Sequence, residues 1–320
     1  MGIVIRQSAR NMIVTYFGFA IGAVNTMFLY TTFLTKENYG IVNFLLSAAN
    51  VLMPIMAFGV HNSLIRFFAF CKNESERERF MSFMLLLPIA LIIPICTLGY
   101  LFFDQCTSLL LERNPKTGPY LWLIPVTAVF MAYFEIFYAW VKVHMKSVFG
   151  NFISEVLVRA VVTVLLFAIH LGWLKQEDFF FWLTGAYGLQ FVGMMAYAMK
   201  VRLPKFSLQL PENTREIVAY SSVIIISGSV ATLLLDFDKV MIPFYKVAEE
   251  NAVYALAIFI ATVIAVPSRA MLQILHPITA KLMSEQKLDE LNQLYQKSAM
   301  TLQVLGGLIM LGIFLNIEEM

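Results

Sequence analysis

The cationic side chains inside long apolar stretches are the residues most able to do chemistry in this chain. Arg66 follows His61 and Asn62 by about one helical turn near the end of one stretch, and Arg159 lies inside another. A guanidinium that faces a cavity would bind an anionic group through two parallel hydrogen bonds. We therefore predict that Arg66, with His61 and Asn62 beside it, binds an anionic substrate group. The alternative for Arg66 is that its side chain extends to the nearest membrane surface.

Two carboxylates lie in comparable positions and could respond to a proton or a cation. Glu155 precedes Arg159 by four residues, so both lie on one helix face, where an internal ion pair is the alternative to a functional role. Glu135 lies among aromatic residues without such a local partner, so it either couples to an ion or pairs with Arg66 or Arg159. Because ionisable groups are costly inside a membrane, we predict ion-coupling roles for Glu135 and Glu155.

Catalytic and metal-binding patterns do not occur in the sequence. The four histidines show no metal-ligand spacing, the three cysteines form no C-x-x-C pair, and there is no phosphate-binding loop or G-x-S-x-G motif. A net charge of +2 provides no field for binding nucleic acid. We therefore expect a protein that is not an enzyme and that uses no cofactor, metal or nucleic acid.

The composition indicates which elements must position these groups. Of the 320 residues, 59% are hydrophobic and 14% are charged, and the mean hydropathy is +0.74. A soluble domain is about half apolar and about a quarter charged. Since a helix needs about 20 apolar residues to cross a bilayer, we predict an all-α, polytopic transmembrane helical bundle. Its roughly nine spans lie near 11–34, 41–70, 80–103, 119–141, 152–172, 179–199, 216–236, 252–275 and 298–315.

The distribution of basic residues predicts the orientation of these spans. With the N-terminus in the cytoplasm, 15 of the 23 Lys and Arg residues fall in cytoplasmic segments, six fall on the opposite side and two lie within spans. This asymmetry is the one that the positive-inside rule requires. Arg6 and Arg10 then lie at the inner mouth of the bundle, and membrane lipids surround the spans.

A proline-containing basic segment divides the predicted spans into two groups. Residues 1–200 hold six spans and form a first bundle, 201–215 form a cytoplasmic linker, and 216–320 form a partial second bundle of three spans. Within the second bundle, four apolar or aromatic residues at spacings of three and four predict a short amphipathic cytoplasmic helix over 281–297. They are Leu288, Leu291, Leu294 and Tyr295.

Two features of the first bundle predict local geometry. Pro54 lies inside the long second span, where it favours a kink. Gly18 and Gly22 form a G-x-x-x-G pattern in the first span, which allows another helix to approach closely. We read this glycine pair as a packing site.

Several short segments, spread over the chain, match one family of membrane transporters. They are the basic start, Tyr39-Gly40 at the beginning of the second helix, Gly59 through Arg66 with the aromatic residues that follow, Asp238-Lys239, Tyr254 and Pro277. In these segments the chain resembles the oligosaccharide flippases of bacterial polysaccharide biosynthesis. These flippases belong to the multidrug/oligosaccharidyl-lipid/polysaccharide exporter superfamily.

The resemblance implies two helical bundles around a cavity that opens alternately to each side of the bacterial cytoplasmic (inner) membrane. The implied cargo is an oligosaccharide linked through pyrophosphate to a polyprenol, with H⁺ or Na⁺ as the implied coupling ion. Arg66 and Arg159 would bind the pyrophosphate, and Arg6 and Arg10 would lie at the inner mouth. The family's second bundle is as large as its first, so the resemblance also implies that this chain is C-terminally truncated.

Two other functions fit the same residues. A multidrug or toxic-compound exporter of the same superfamily would capture cations with acidic side chains such as Glu135. A non-transporting membrane scaffold of a glycan-assembly complex would tolerate the loss of both Arg66 and Arg159.

Overall fold

The computed structural model of the protein is helical throughout the part that it describes. That part comprises residues 2–71, 73–144, 146–203, 207, 209–268, 271, 275, 279, 282–283 and 286–316, with side chains from Arg10 onward except at 226–229 and 231–232. Helix accounts for 87% of the described residues, and no strand occurs among them. The all-α prediction is confirmed.

The helices are numbered here in chain order. They are α1 (Gly2–Val24), α2 (Tyr30–Phe33), α3 (Lys36–Ala57), α4 (Val60–Phe68), α5 (Glu74–Leu101), α6 (Phe103–Arg113), α7 (Leu123–Val143), α8 (Ser147–Phe152), α9 (Val158–His170), α10 (Phe179–Val201), α11 (Thr214–Tyr245), α12 (Ala248–Val263) and α13 (Leu288–Leu315). Two further segments are π-helical, π1 (Asn25–Leu29) and π2 (Ile153–Leu157), and Pro115–Tyr120 forms a 3₁₀ helix.

Seven helical segments in the described ranges are long and apolar enough to cross a membrane. They are Arg10–Phe33, Lys36–Ala57, Glu74–Leu101, Leu123–Val143, Ser147–His170, Phe179–Val201 and Leu288–Leu315. These segments agree with the first six predicted spans and the last one. The predicted spans at 216–236 and 252–275 fall on α11 and on α12 with residues partly outside the description. The polytopic bundle is confirmed, and the number of nine spans stays a prediction.

The second predicted span is broken into two helices. Pro54 lies inside α3 and is buried, and the helix continues past it for three residues. Phe58 (φ 48°) and Gly59 (φ 60°) then adopt the left-handed conformation that ends helices. A Cβ on Gly59 would lie 2.4 Å from Cγ2 of Ile224 on α11, so a glycine is required there for space as well as for conformation. The expected kink is therefore a complete break, four residues beyond the proline.

Contacts divide the chain into two units, which we describe separately. The larger unit, residues 14–253, contains the buried core around Trp140, Phe80, Phe179 and Phe180. Within it α11 packs against α3, and α7 packs against α3, α4 and α10. The smaller unit comprises residues 1–13 and 254–320. The predicted boundary at 201–215 stays a prediction, although α11 belongs with the helices that precede this segment.

Helix α13 differs from the prediction for the end of the chain. The spacing of the leucines predicted a short amphipathic helix over 281–297, followed by a separate span at 298–315. From Leu288 onward the structure has a single helix that continues to Leu315, and none of its described side chains is buried. The two elements merge because no proline or left-handed residue interrupts the helical stretch between them.

An asparagine at the end of α6 binds the main chain of the turn between α11 and α12. Asn114 donates from Nδ2 to the carbonyl oxygens of Pro243 over 2.7 Å and Lys246 over 3.0 Å. The main-chain N–H of Ala248 donates to Asn114 Oδ1 over 2.8 Å. A single buried side chain therefore satisfies orphan groups both at the end of α11 and at the start of α12.

We predict that Gly40→Ala strongly destabilises the protein, because a Cβ on Gly40 would lie 1.7 Å from the main-chain oxygen of Ala248. The α3 backbone would have to move away from α12, at a cost of about 2 kcal/mol or more. Thermal unfolding of the purified protein in detergent measures the loss. Gly185→Ala on α10 is the matched control, because no atom lies within 4 Å of its Cβ position. Equal unfolding temperatures for the two variants would contradict this packing.

Candidate functional site

The ion pair between Glu155 and Arg159 lies where π2 meets α9. Arg159 donates from Nη1 to Glu155 Oε2 over 2.7 Å and to the Glu155 carbonyl oxygen over 2.6 Å. The arginine side chain is 38% exposed and the glutamate side chain 28%. Nε and Nη2 of Arg159 make no hydrogen bond within the described part of the chain. The internal ion pair that the spacing allowed is thus present, and it leaves part of the guanidinium available.

The G-x-x-x-G of α1 packs directly against this pair. A Cβ on Gly18 would lie 2.4 Å from the carbonyl oxygen of Glu155 and 2.8 Å from Nη1 of Arg159. At Gly22 the corresponding distance is 3.1 Å, to Nε of Arg159. The two glycines therefore make room for the arginine side chain between the helices, which confirms their predicted packing role.

A second π-helix faces the same arginine. Asn25, the first residue of π1, is 3% exposed and donates from Nδ2 to the carbonyl oxygen of Arg159 over 2.9 Å. Thr163 donates from its hydroxyl to Asn25 Oδ1 over 2.8 Å, and the same hydroxyl lies 2.9 Å from the Arg159 carbonyl. Short π-helical turns are common at functional sites because they free main-chain carbonyls from the regular ladder. Nothing in the local sequence pattern indicated either π-helix.

Arg66 lies at the exposed end of α4 rather than beside Arg159. Its guanidinium carbon is 4.2 Å from the ring centroid of Tyr220 on α11 and 5.7 Å from that of Phe67. A cation over an aromatic face is attracted by the ring quadrupole, so Tyr220 holds the guanidinium in one orientation. The interface beneath it is tight, since the hydroxyls of Ser63 and Ser221 are 2.6 Å apart and buried.

His61 and Asn62 contact each other one turn before Arg66. Asn62 Nδ2 lies 3.0 Å from Nε2 of His61. An amide nitrogen can only donate, so Nε2 accepts and the proton is on Nδ1. That Nδ1 is buried and has no partner in the described ranges. The positive charge of Lys142, at the end of α7, interacts electrostatically with this imidazole.

Glu135 lies on a polar face of α7. It is half-buried, and no hydrogen bond or ion pair reaches its carboxylate from the described residues. The charges that act on it are those of Lys142 and Glu155. Lys142 lies seven residues along the same face, with Nζ 3.7 Å from the ring centroid of Tyr138. The alternative pairing of Glu135 with Arg66 or Arg159 is not formed.

An ion pair on α11, largely shielded from solvent, was not assigned a role from the sequence. Lys239 donates from Nζ to Asp236 Oδ1 over 3.0 Å, and the two side chains are only 17% and 14% exposed. From α3, the Ser47 hydroxyl donates to the same oxygen over 3.0 Å, and Asn50 donates to Oδ2 over 3.2 Å. Asp236 is the last residue of the span predicted at 216–236. Ser47 and Asn50, eleven and fourteen residues into α3, show that the pair lies within the bundle.

The structure brings some of the predicted site residues together and separates others. Glu155 and Arg159 are in contact. The carboxylate of Glu155 is also close enough to that of Glu135 for the two charges to interact electrostatically. His61, Asn62 and Arg66 share α4. Arg10 is exposed and belongs to the smaller unit. The side chain of Arg6 lies outside the described residues.

Graded effects are expected from alanine at the two glycines of α1. Gly18→Ala places a methyl group against main chain and should push α1 away from π2 and α9, at a cost of about 2 kcal/mol. Gly22→Ala meets only the flexible Arg159 side chain and should cost less. Thermal unfolding in detergent checks this order, with Gly185→Ala as control. The reverse order would show that α1 does not pack here.

Comparison with known proteins identifies the family. The model of the family described as polysaccharide biosynthesis protein matches residues 4–283, which is well over half of the chain. The comparisons with curated proteins and with solved structures gave no match. Proteins of this family are transporter-type membrane proteins. With its apolar helices, this chain is therefore a multi-pass membrane protein of polysaccharide biosynthesis, and it belongs to the polysaccharide biosynthesis protein family.

Proposed function

We propose that the chain moves a polyprenyl-pyrophosphate-linked oligosaccharide across the bacterial cytoplasmic membrane by alternating access. The observation that carries this proposal is the partly exposed guanidinium of Arg159, held inside a span by Glu155 and two glycines. A cation at such a position is costly, and the nitrogens that Glu155 does not bind make Arg159 a candidate for binding a ligand. The anionic centre of a lipid-linked sugar is a ligand of the required charge, and the family match to polysaccharide biosynthesis supports this class.

The pyrophosphate would bind to the donors of Arg159 that Glu155 leaves free. Nε and Nη2 form one edge of a guanidinium, and this edge fits two phosphate oxygens side by side. Arg66, oriented by Tyr220 at the end of α4, would supply a guanidinium at a second position on the path of the cargo. His61 and Asn62, one turn earlier, supply hydrogen-bonding groups suited to sugar hydroxyls.

Coupling between cargo and ion would follow if the pyrophosphate weakens the ion pair between Arg159 and Glu155. A pyrophosphate bound at Nε and Nη2 would share the guanidinium with the Glu155 carboxylate at Nη1, and it would displace this carboxylate by drawing the guanidinium toward itself. A carboxylate that loses its partner in an apolar bundle is stabilised by taking up a proton or Na⁺. Glu135 and Lys142 lie within electrostatic range and would share this charge. Binding of cargo would thus be linked to binding of the coupling ion.

The multidrug exporter remains the second candidate because of Glu135. A half-buried carboxylate with no hydrogen bond or ion pair from the described residues is suited to a lipophilic cation. An exporter of this kind would depend on Glu135 and would not need Arg159. The two candidates therefore predict opposite sensitivities for these two residues.

We expect Arg159→Ala to reduce export of the glycan by at least about tenfold, since one lost charge-assisted hydrogen bond corresponds to roughly this factor. Arg66→Ala should reduce it less, because Arg66 is exposed at the end of α4. Surface glycan in cells that depend on this protein is the measurement, at matched protein levels.

The control for this experiment is Arg113→Ala, an exposed arginine at the end of α6 that contacts none of these groups. A membrane scaffold would tolerate all three substitutions. A cation exporter would lose drug resistance with Glu135→Gln and keep it with Arg159→Ala. Either outcome would refute the flippase proposal.

The orientation with a cytoplasmic N-terminus predicts which cysteines can be labelled from outside the cell. In a background in which Cys71, Cys96 and Cys106 are replaced by serine, Glu212→Cys should react with an impermeant thiol reagent only after the cells are opened. Lys175→Cys should react in intact cells, because both positions are exposed and lie at opposite ends of α10. The reverse labelling pattern would invert the topology.

A further inference from the structure

A small polar cavity lies where several helices of the larger unit end. The end of α4, the first turn of α5, the end of α7 and the end of α10 meet around it. The residues that line it and matter here are Phe68, Arg77, Glu78, Trp140, His144 and Arg202. This cavity is separate from the Arg159 site and from the face of α7 that carries Glu135.

Three residues that line this cavity each carry a buried polar atom without a hydrogen-bond partner in the described part of the protein. These atoms are Nε1 of Trp140, Nε of Arg77 and Nε2 of His144. Trp140 is only 2% exposed. An indole N–H and a guanidinium Nε–H can only donate, so two of the three atoms require an acceptor. Buried donors without an acceptor are costly, and three at one place point to a ligand.

The hydrogen bond from His144 to the Trp140 carbonyl shows which ring nitrogen carries the proton. Nδ1 of His144 lies 2.8 Å from the carbonyl oxygen of Trp140, which can only accept. Nδ1 therefore donates, and Nε2 accepts a hydrogen bond in the neutral ring or donates one in the charged ring. The imidazole can thus adapt to either a protonated or an unprotonated oxygen.

Among the described residues, the charges around the cavity leave the Arg77 guanidinium without an ion pair. Arg202 pairs with Glu74, and Glu78 has a partner of its own. Arg77 has no ion pair among the residues described, and its guanidinium carbon is 5.3 Å from the ring centroid of Phe68. An anionic acceptor would therefore bind mainly to Arg77 and to the indole N–H.

The size of the cavity limits what can enter it. The inner space available to the centre of a water-sized atom is about 10 Å³, which corresponds to one oxygen atom. The rest of the ligand must remain at the open side, where Leu203 is 75% exposed. A tetrahedral phosphate that inserts one oxygen fits this arrangement.

We infer that this cavity binds the phosphate of a membrane phospholipid, through Arg77 and Trp140, at the surface where α4, α7 and α10 end. A lipid is the source because spans end at the depth of the headgroups, and a basic pocket between helix ends suits a lipid phosphate. The exposed Leu203 is placed to contact the apolar part of the same lipid. This lipid is a bound constituent of the protein and not its cargo, so the inference does not depend on the proposed transport.

Native mass spectrometry of the delipidated full-length chain in detergent tests the inference. Phosphatidylglycerol is titrated against the wild type, and diacylglycerol with the same acyl chains serves as the lipid without phosphate. We expect one tightly bound phosphatidylglycerol, and at least about tenfold weaker binding to Trp140→Phe, which keeps the ring and loses the donor. Trp122→Phe, at the other end of α7 and 54% exposed, is the matched control and should bind as the wild type does.

A second variant and a competitor complete the experiment. Arg77→Lys keeps the charge but removes Nε–H, and it should weaken binding as Trp140→Phe does, which guards against a folding defect in either variant. Millimolar inorganic phosphate should not displace the lipid. Equal binding by the wild type and both variants, equal binding of diacylglycerol, or displacement by free phosphate would each overturn the inference.

Discussion

A charged side chain inside an apolar bundle must find its partners within the protein, and this constraint organises the larger unit. Lipid offers no hydrogen bonds, so a buried ion or a freed carbonyl is stabilised by partners on its own helix or on a neighbouring one. Arg159 shows how this is done: Glu155 binds its guanidinium, Asn25 binds its carbonyl, and the glycines of α1 make room for it. Both π-helical turns lie at this contact, since π1 supplies Asn25 and π2 supplies Glu155. The largely shielded pair of Asp236 and Lys239 is satisfied in the same way by Ser47 and Asn50 of α3.

The same constraint explains why the groups proposed to move cargo are incompletely satisfied. Arg159 uses one nitrogen for Glu155, and no described residue bonds to its other two nitrogens. Asn114, in contrast, uses both ends of its amide to join three main-chain groups. Fully bonded groups such as Asn114 hold helices in fixed positions. Groups with donors or oxygens that no described residue binds, such as Arg159 and Glu135, can bind a molecule that arrives later. In this protein, structural polar residues therefore have a hydrogen-bond partner for each of their groups, whereas the candidate functional ones do not.

Much of the fold followed from periodicity and composition alone. The first six spans agree with the helices because an apolar stretch of membrane length leaves the backbone no alternative to a helix. The i,i+4 spacing of Glu155 and Arg159 anticipated their contact, and the spacing of Gly18 and Gly22 anticipated close packing. The break at Phe58–Gly59 was displaced from the expected proline, because a left-handed pair of residues cannot be distinguished from a helical pair without its surroundings.

The amino-acid sequence by itself determined the helical membrane class, the positions of most spans and the family, because these depend on local hydropathy and on residues close together in the chain. Only the tertiary structure decided which polar residues share a site. Asn25 meets Arg159 across 134 positions, Ser47 meets Asp236 across 189, and Arg77, Trp140 and His144 come from two helices to one cavity. The physical reason is that helix rotation and packing set these contacts, and they depend on the shape of every neighbouring side chain rather than on any local pattern.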